Sequence, residues 1–141
     1  MRNLLFLLAL ASVASSGDLR LEDDSFRTLA YIRDDGRIED SSFRTLGYIR
    51  DGERIEDSTF HTLGYIRNGR IESPSFETLF YIEDDGRITD ASFHTVMTIS
   101  SDGTVEDPSF HVFLYADGTD EGQTISIAAY LVFFSELLQE D

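Results

Sequence analysis

The 141-residue chain has no cysteine and no lysine, and only two prolines. Without cysteine there is no disulfide and no thiolate metal site. Small secreted eukaryotic domains often depend on disulfides, so their absence leans toward a bacterial exported protein. Without lysine, all 11 basic residues are arginine; they face 27 acidic residues, for a net charge of −16. Nucleic acid requires a positive field, and so does anionic lipid held by a basic patch, so this balance argues against both. It favours solubility and repulsion between copies at low salt, and the many carboxylates suit weak binding of divalent cations. Long helical patterns are missing too. No apolar stripe in the repeated part runs past five residues before Gly or Asp interrupts it. With 41% hydrophobic residues the chain is nevertheless not disordered by composition.

What is present is a repeat. Phenylalanine recurs at Phe26, Phe43, Phe60, Phe76, Phe93 and Phe110, at spacings of 17, 17, 16, 17 and 17 residues. The cleanest copy runs from Gly36 to Asp51. A fixed period decides architecture before any single residue does. Each unit holds two short apolar segments, such as Arg37-Ile38-Glu39 and Thr45 to Ile49. Thr, Ile, Val, Tyr and Phe favour a pleated backbone, and Asp, Gly and Ser bound these segments, so both are expected strands.

A hairpin turn joins the Tyr-Ile segment to the next Arg-Ile-Glu. Asn68-Gly69 is the strongest short hairpin signal, and Asp34-Asp35-Gly36 and Asp84-Asp85-Gly86 are three-residue versions. Both loop lengths give one register, with Ile66 facing Ile71 and Ile32 facing Ile38; the missing residue is absorbed in the turn. Strict alternation then places Ile, a Thr and the small residues Ala30, Gly47 and Gly64 on a dry face, where the glycines admit a neighbouring backbone. Tyr and Leu share the other face with Arg and Glu, and the stems of arginines such as Arg54 are expected to cover Tyr48 and Leu46. The Asp-Ser-Ser-Phe segment is a turn whose Phe is expected to fold back as an anchor between units.

The expected fold is all-β: tandem ~17-residue β-hairpin repeats closed into a ring or barrel, with a β-solenoid as the alternative. A solenoid would stack arginine on arginine at strand spacing, which repels. A closed ring alternates strand direction and removes free edges. Residues 1–14 read as a secretory signal peptide cleaved after Ala14, with a basic start, an apolar run and the small residues Ser12-Val13-Ala14. Residues 15–141 then form one domain, closed by an apolar C-terminal segment at 124–138 in which Thr124 to Ile127 alternates like a strand.

The repeat, with the Ala128-Ala129 and Phe133-Phe134 ending, resembles the five-fold beta-flower proteins, small exported bacterial β-repeat proteins. The resemblance rests on Gly36 to Ile49, Arg54 to Ile66, Gly69 to Ile82 and Gly86 to Ile99. It implies a ring of β units about a pseudo-five-fold axis, and it carries no functional residue over. This chain departs from it with six Phe beats, and with Met97 and Thr98 where Gly and Tyr are expected.

No Ser-His-Asp spacing, phosphate loop or nucleophile elbow occurs, and the carboxylates are periodic where catalytic pairs are asymmetric, so no enzyme is expected. His61, His94 and His111 all follow the repeat Phe, on units that a ring holds apart. Each Asp-rich turn offers two or three oxygens where calcium needs six to eight, and neither metal nor cofactor is assigned. Tyr31, Tyr48, Tyr65 and Tyr81, with Arg37, Arg54 and Arg70 on the same face, form the candidate ligand surface; ordinary cross-strand packing is the plainer use of these tyrosines. The expected role is binding of a glycan or peptide outside the cytoplasm. The alternative is a self-assembling component of the envelope or matrix. Partners would be a glycan, a peptide or an envelope protein, with no nucleic acid and no membrane span.

Overall fold

The computed structural model describes residues 18–118 and 123–138. The expected signal segment lies outside the described residues. Six two-stranded units follow one another. They are β1 (Leu19–Asp23) with β2 (Thr28–Ile32), β3 (Arg37–Asp40) with β4 (Thr45–Arg50), and β5 (Arg54–Asp57) with β6 (Thr62–Arg67). Then come β7 (Arg70–Glu72) with β8 (Thr78–Ile82), β9 (Arg87–Asp90) with β10 (Thr95–Ile99), and β11 (Thr104–Glu106) with β12 (Val112–Asp117). Each strand pairs antiparallel with its chain neighbours, and β1 pairs with β12 to close a twelve-strand barrel. The closed reading holds and the solenoid does not. Six complete units, not five, make the ring.

The expected register is present. Ile66 pairs with Ile71 across a two-residue turn, and Ile32 with Ile38 across a three-residue turn. Asn68 and Gly69 both take positive φ, 53° and 73°, as a tight hairpin turn of this kind requires.

Strict alternation fails once per unit, and this corrects the assignment of faces. Ile38 pairs with Gly47 and Glu39 with Thr45, so Leu46 is an extra residue in a bulge. Leu29 and Leu63 occupy the same place in their units. The bulge turns Thr45 outward opposite Glu39, while Leu46 packs against the core. A bulge adds local bend and twist, and six of them help such short strands close a ring.

Twelve strands enclose more space than wall side chains alone fill, and here a helix occupies it. Helix α1 (Gln123–Ala129) runs into a π-helical turn, Tyr130–Phe134. Thr124 to Ile127, expected as a strand, is therefore helical. Ile127, Ala128, Ala129 and Leu131 are fully buried in one core with Ile38, Ile55, Ile71 and Leu114. The six inward positions opposite Leu21, Ile38, Ile55, Ile71, Ile88 and Val105 run Ala30, Gly47, Gly64, Phe80, Met97 and Leu114. They are small in the first three units and large in the last three, and the plug's aromatic rings lie on the small side. Phe134 fills the space a Cβ at Gly47 would take, and Phe133 does the same at Gly64. The neighbours that these glycines admit thus include aromatic rings as well as strand carbonyls.

Candidate functional site

The loops at 33–37, 83–87 and 100–104 at one end of the barrel and the six Phe turns at the other are of one kind with different chemistry. At one end, the Gly36 N–H donates to the Arg33 carbonyl, and Gly36 takes φ 94°. A Cβ there would collide with the Ile49 carbonyl, so glycine is required. At the other end, the Phe26 N–H donates to the Asp23 carbonyl in the same way, and the left-handed position is held by phenylalanine. All six repeat phenylalanines sit at φ between 63° and 73°. For a bulky residue this conformation is an outlier that costs about 1–2 kcal/mol. The Asp23 carboxylate holds the turn by accepting from the N–H groups of Ser25 and Arg27. Asp40, Asp57, Asp90 and Asp107 repeat this, and the Ser73 hydroxyl substitutes in the fourth unit. These backbone donors hold the carboxyls of Asp23, Asp40, Asp57 and Asp90 below their ordinary range.

Five of the repeat phenylalanines do fold back as anchors between units, and they do so on the outside of the barrel. Phe43, Phe60 and their counterparts are exposed on the outer wall. The turn's hydrogen bonds fix the backbone so that the ring projects outward onto the neighbouring strand. Phe43 stacks on Tyr31 at 5.1 Å between centroids, Phe60 on Tyr48 at 5.2 Å, Phe76 on Tyr65 at 4.9 Å and Phe93 on Tyr81 at 5.0 Å. Phe26 meets Tyr115 at 5.0 Å.

All seven expected site residues lie on this outer wall, but in different roles. The four tyrosines are half-buried beneath the phenylalanines and are not a bare platform. Arg37, Arg54 and Arg70 pair across strands with Tyr48, Tyr65 and Tyr81, yet their guanidinium groups turn to glutamate. Arg37 lies 2.9 Å from Glu39, Arg54 3.0 Å from Glu56 and Arg70 3.5 Å from Glu72. The arginines over the tyrosines are Arg33, Arg50 and Arg67, at 4.8, 4.3 and 5.2 Å from the ring centroids. They follow each Tyr by two residues, which places them on the same strand face, and that spacing was the available signal. Tyr48 is thus covered by Arg50 and Phe60, and the Arg54 stem is not its cover.

Three of the stacks close on a buried glutamate, Glu39, Glu56 or Glu72. Glu56 takes hydrogen bonds from Arg50 at 2.9 Å and Arg54 at 3.0 Å. Arg50 first, and then Arg54, hold its carboxyl below the ordinary value. Glu39 lies between Arg33 and Arg37, and Glu72 between Arg67 and Arg70, at ion-pair distance.

A family model described as the 5-fold beta-flower protein matches residues 18–134. The chain belongs to the 5-fold beta-flower family. No curated protein and no solved structure matches it. This beta-flower closes with six units, so the pseudo-symmetry of its ring is sixfold.

The six outer stations of the beta-flower differ. Three adjacent ones, at β2/β3, β4/β5 and β6/β7, carry the full Phe-Tyr-Arg-Glu-Arg set. At β8/β9, Glu83 replaces the upper arginine and Thr89 the glutamate; the Thr89 hydroxyl donates to Glu83 at 3.2 Å. At β12/β1, Arg20 bridges Glu22 and Asp117. At β10/β11, Thr98 replaces the tyrosine, and Ser100 and Thr104 replace both arginines. The β10 backbone stays in register there, so the irregularity expected of this copy is confined to its side chains.

His61, His94 and His111 sit on separate turns beside Asp57, Asp90 and Asp107. Among the described residues, no group of three or more His, Asp or Glu is placed to hold a metal ion. The mouth at the glycine end receives α1, with one cavity of about 320 Å³ beside Ser126 and another of about 380 Å³ beside Thr124. Among the described residues no helix is long and apolar enough to cross a membrane.

Proposed function

We propose that this beta-flower is a non-enzymatic binding protein that works outside the cytoplasm and holds a polypeptide on its outer wall. The observation that carries this reading is the ring of six phenylalanines, each kept in a left-handed conformation with its ring in solvent. Glycine would fit the same turn with less strain, as it does at the other end of the barrel. A strained residue repeated six times is retained for its side chain. The carboxylates of the wall support a non-catalytic role. Glu56 is held ionised by two arginines, whereas a general acid needs a raised pKa. Export rests on the N-terminal segment of the sequence.

A polypeptide suits this surface better than a glycan. Sugar hydroxyls need free hydrogen-bonding groups beside the ring. Here one carboxylate oxygen of Asp23, and likewise of Asp40, Asp57, Asp90 and Asp107, is taken by two backbone N–H groups. The test is an array of capped peptides and of glycans, probed with the wild-type protein and with a variant carrying glycine at all six Phe positions. The variant keeps its circular dichroism spectrum and loses peptide capture. Unchanged capture, or capture of glycans alone, sinks the reading. Assemblies that lengthen as salt screens the −16 charge would favour the self-assembling alternative.

A further inference from the structure

One station of the wall keeps its outer parts and lacks its filling. Phe110 holds the same strained turn as its five counterparts, at φ 68°. Among the described residues no ring stacks on it, and it is 80% exposed where the others are 55–64%. Thr98 stands at the position that carries the stacking tyrosine in the other units. Glu106 pairs across the strands with Thr98 as Glu56 does with Tyr48. Glu39, Glu56 and Glu72 each hold two arginines, but among the described residues Glu106 holds none, because Ser100 and Thr104 stand where the arginines would be. Thr104 turns its hydroxyl to Asp102 at 3.0 Å. Asp24 and Asp107 flank the station through His111, at 3.9 Å each, which keeps the neighbourhood acidic.

We propose that the Thr98–Glu106–Phe110 station receives an arginine side chain of a partner polypeptide, its guanidinium paired with Glu106 and lying along the Phe110 ring. The intact stations display this arrangement within the chain. At β4/β5, Arg50 bonds Glu56 at 2.9 Å while its guanidinium lies 4.3 Å from the Tyr48 centroid and 5.5 Å from that of Phe60. There the aromatic and the arginine are two residues apart on one strand. An extended peptide reading Tyr-x-Arg presents both groups on one face and supplies the missing tyrosine and the arginine absent at Ser100. A guanidinium fits where an ammonium does not, because it is planar and stacks while it donates in its plane. This inference rests on the proposed polypeptide-binding role.

The test is calorimetric titration of the full chain with a capped peptide containing Tyr-Ser-Arg, and with its Tyr-Ser-Lys counterpart. The arginine peptide binds one per chain, and the lysine peptide binds at least tenfold more weakly. Glu106→Gln weakens binding at least tenfold, while Glu53→Gln, the same charge change in an exposed turn, leaves it within twofold. The double variant Thr98→Tyr/Ser100→Arg rebuilds the internal stack. It melts higher than wild type and no longer binds the peptide. Full affinity in Glu106→Gln or in the rebuilt double variant overturns the proposal, and so does equal binding of the lysine peptide. Self-association that Glu106→Gln abolishes would make the occupant a second copy of this chain and overturn the partner assignment. If array peptides bind through the phenylalanine ring while the arginine peptide does not, the guanidinium assignment falls and the broader role stands. If no peptide binds at all, the broader role falls.

Discussion

Phe134 and Gly47 share one volume: the ring Cζ lies 2.5 Å from where a Cβ on residue 47 would stand. The same position would also meet the Glu56 carbonyl. Gly47→Ala therefore lowers stability by about 2–3 kcal/mol through overpacking. Phe134→Leu in the same chain recovers only part of this, because the carbonyl remains. Urea unfolding midpoints of the single and double variants give the measurement.

The turns tolerate a change of length without a change of pairing. Inserting an aspartate between Asn68 and Gly69 makes the three-residue loop that Asp34-Asp35-Gly36 already uses, with the same isoleucine pairing beyond it. The expected cost is under ~1 kcal/mol, since loop-closure entropy grows slowly with length. Gly69→Ala costs about 1 kcal/mol, because φ there is 73°. Thermal melts of the two variants make the comparison.

Acid weakens the wall from one side only. Glu56 lies below its ordinary value of 4.5 because Arg50 and then Arg54 bond its ionised form. Asp40 and Asp57 lie below 3.8 because backbone N–H groups bond theirs. All three bind protons more readily in the unfolded chain, so stability rises with pH across this window. It is complete above the ordinary values and is lost as pH falls through the lower folded ones. Denaturant midpoints stay level above about pH 5 and drop below it. In Glu56→Gln the drop is shallower. A midpoint that rises on acidification would contradict the pairing.

The hairpin register was legible in the sequence because the Ile pair and the Asn-Gly turn leave only one pairing that keeps the isoleucines on one face. The closed ring was legible from charge, since stacked arginines repel. The plug was harder to see. Thr124 to Ile127 spans about one helical turn, with Ile125 exposed and Ile127 buried, which is too short a stretch to show a helical period. Leu46 was assigned to the wrong face because a period of two cannot show an inserted residue. The anchoring of each unit to its neighbour by phenylalanine was legible from the repeat, but the wall it uses was not: Asp23 and its counterparts direct the turn backbone, and with it the ring, to the outside. The tyrosines and arginines were placed on the correct face, but Arg33, Arg50 and Arg67 were passed over although they lie two residues beyond each Tyr.

The central claim is that Phe110 is kept for something outside the chain, and Phe110→Gly tests it most directly through two readings on one variant. Glycine removes the left-handed strain, and no internal stack is lost at this station. The variant is therefore at least as stable as wild type, and about 1 kcal/mol more stable than Phe60→Gly, which sacrifices the stack on Tyr48. Its affinity for the arginine peptide falls at least tenfold. A Phe110→Gly protein that melts well below wild type, or that binds the peptide as tightly, would contradict the account.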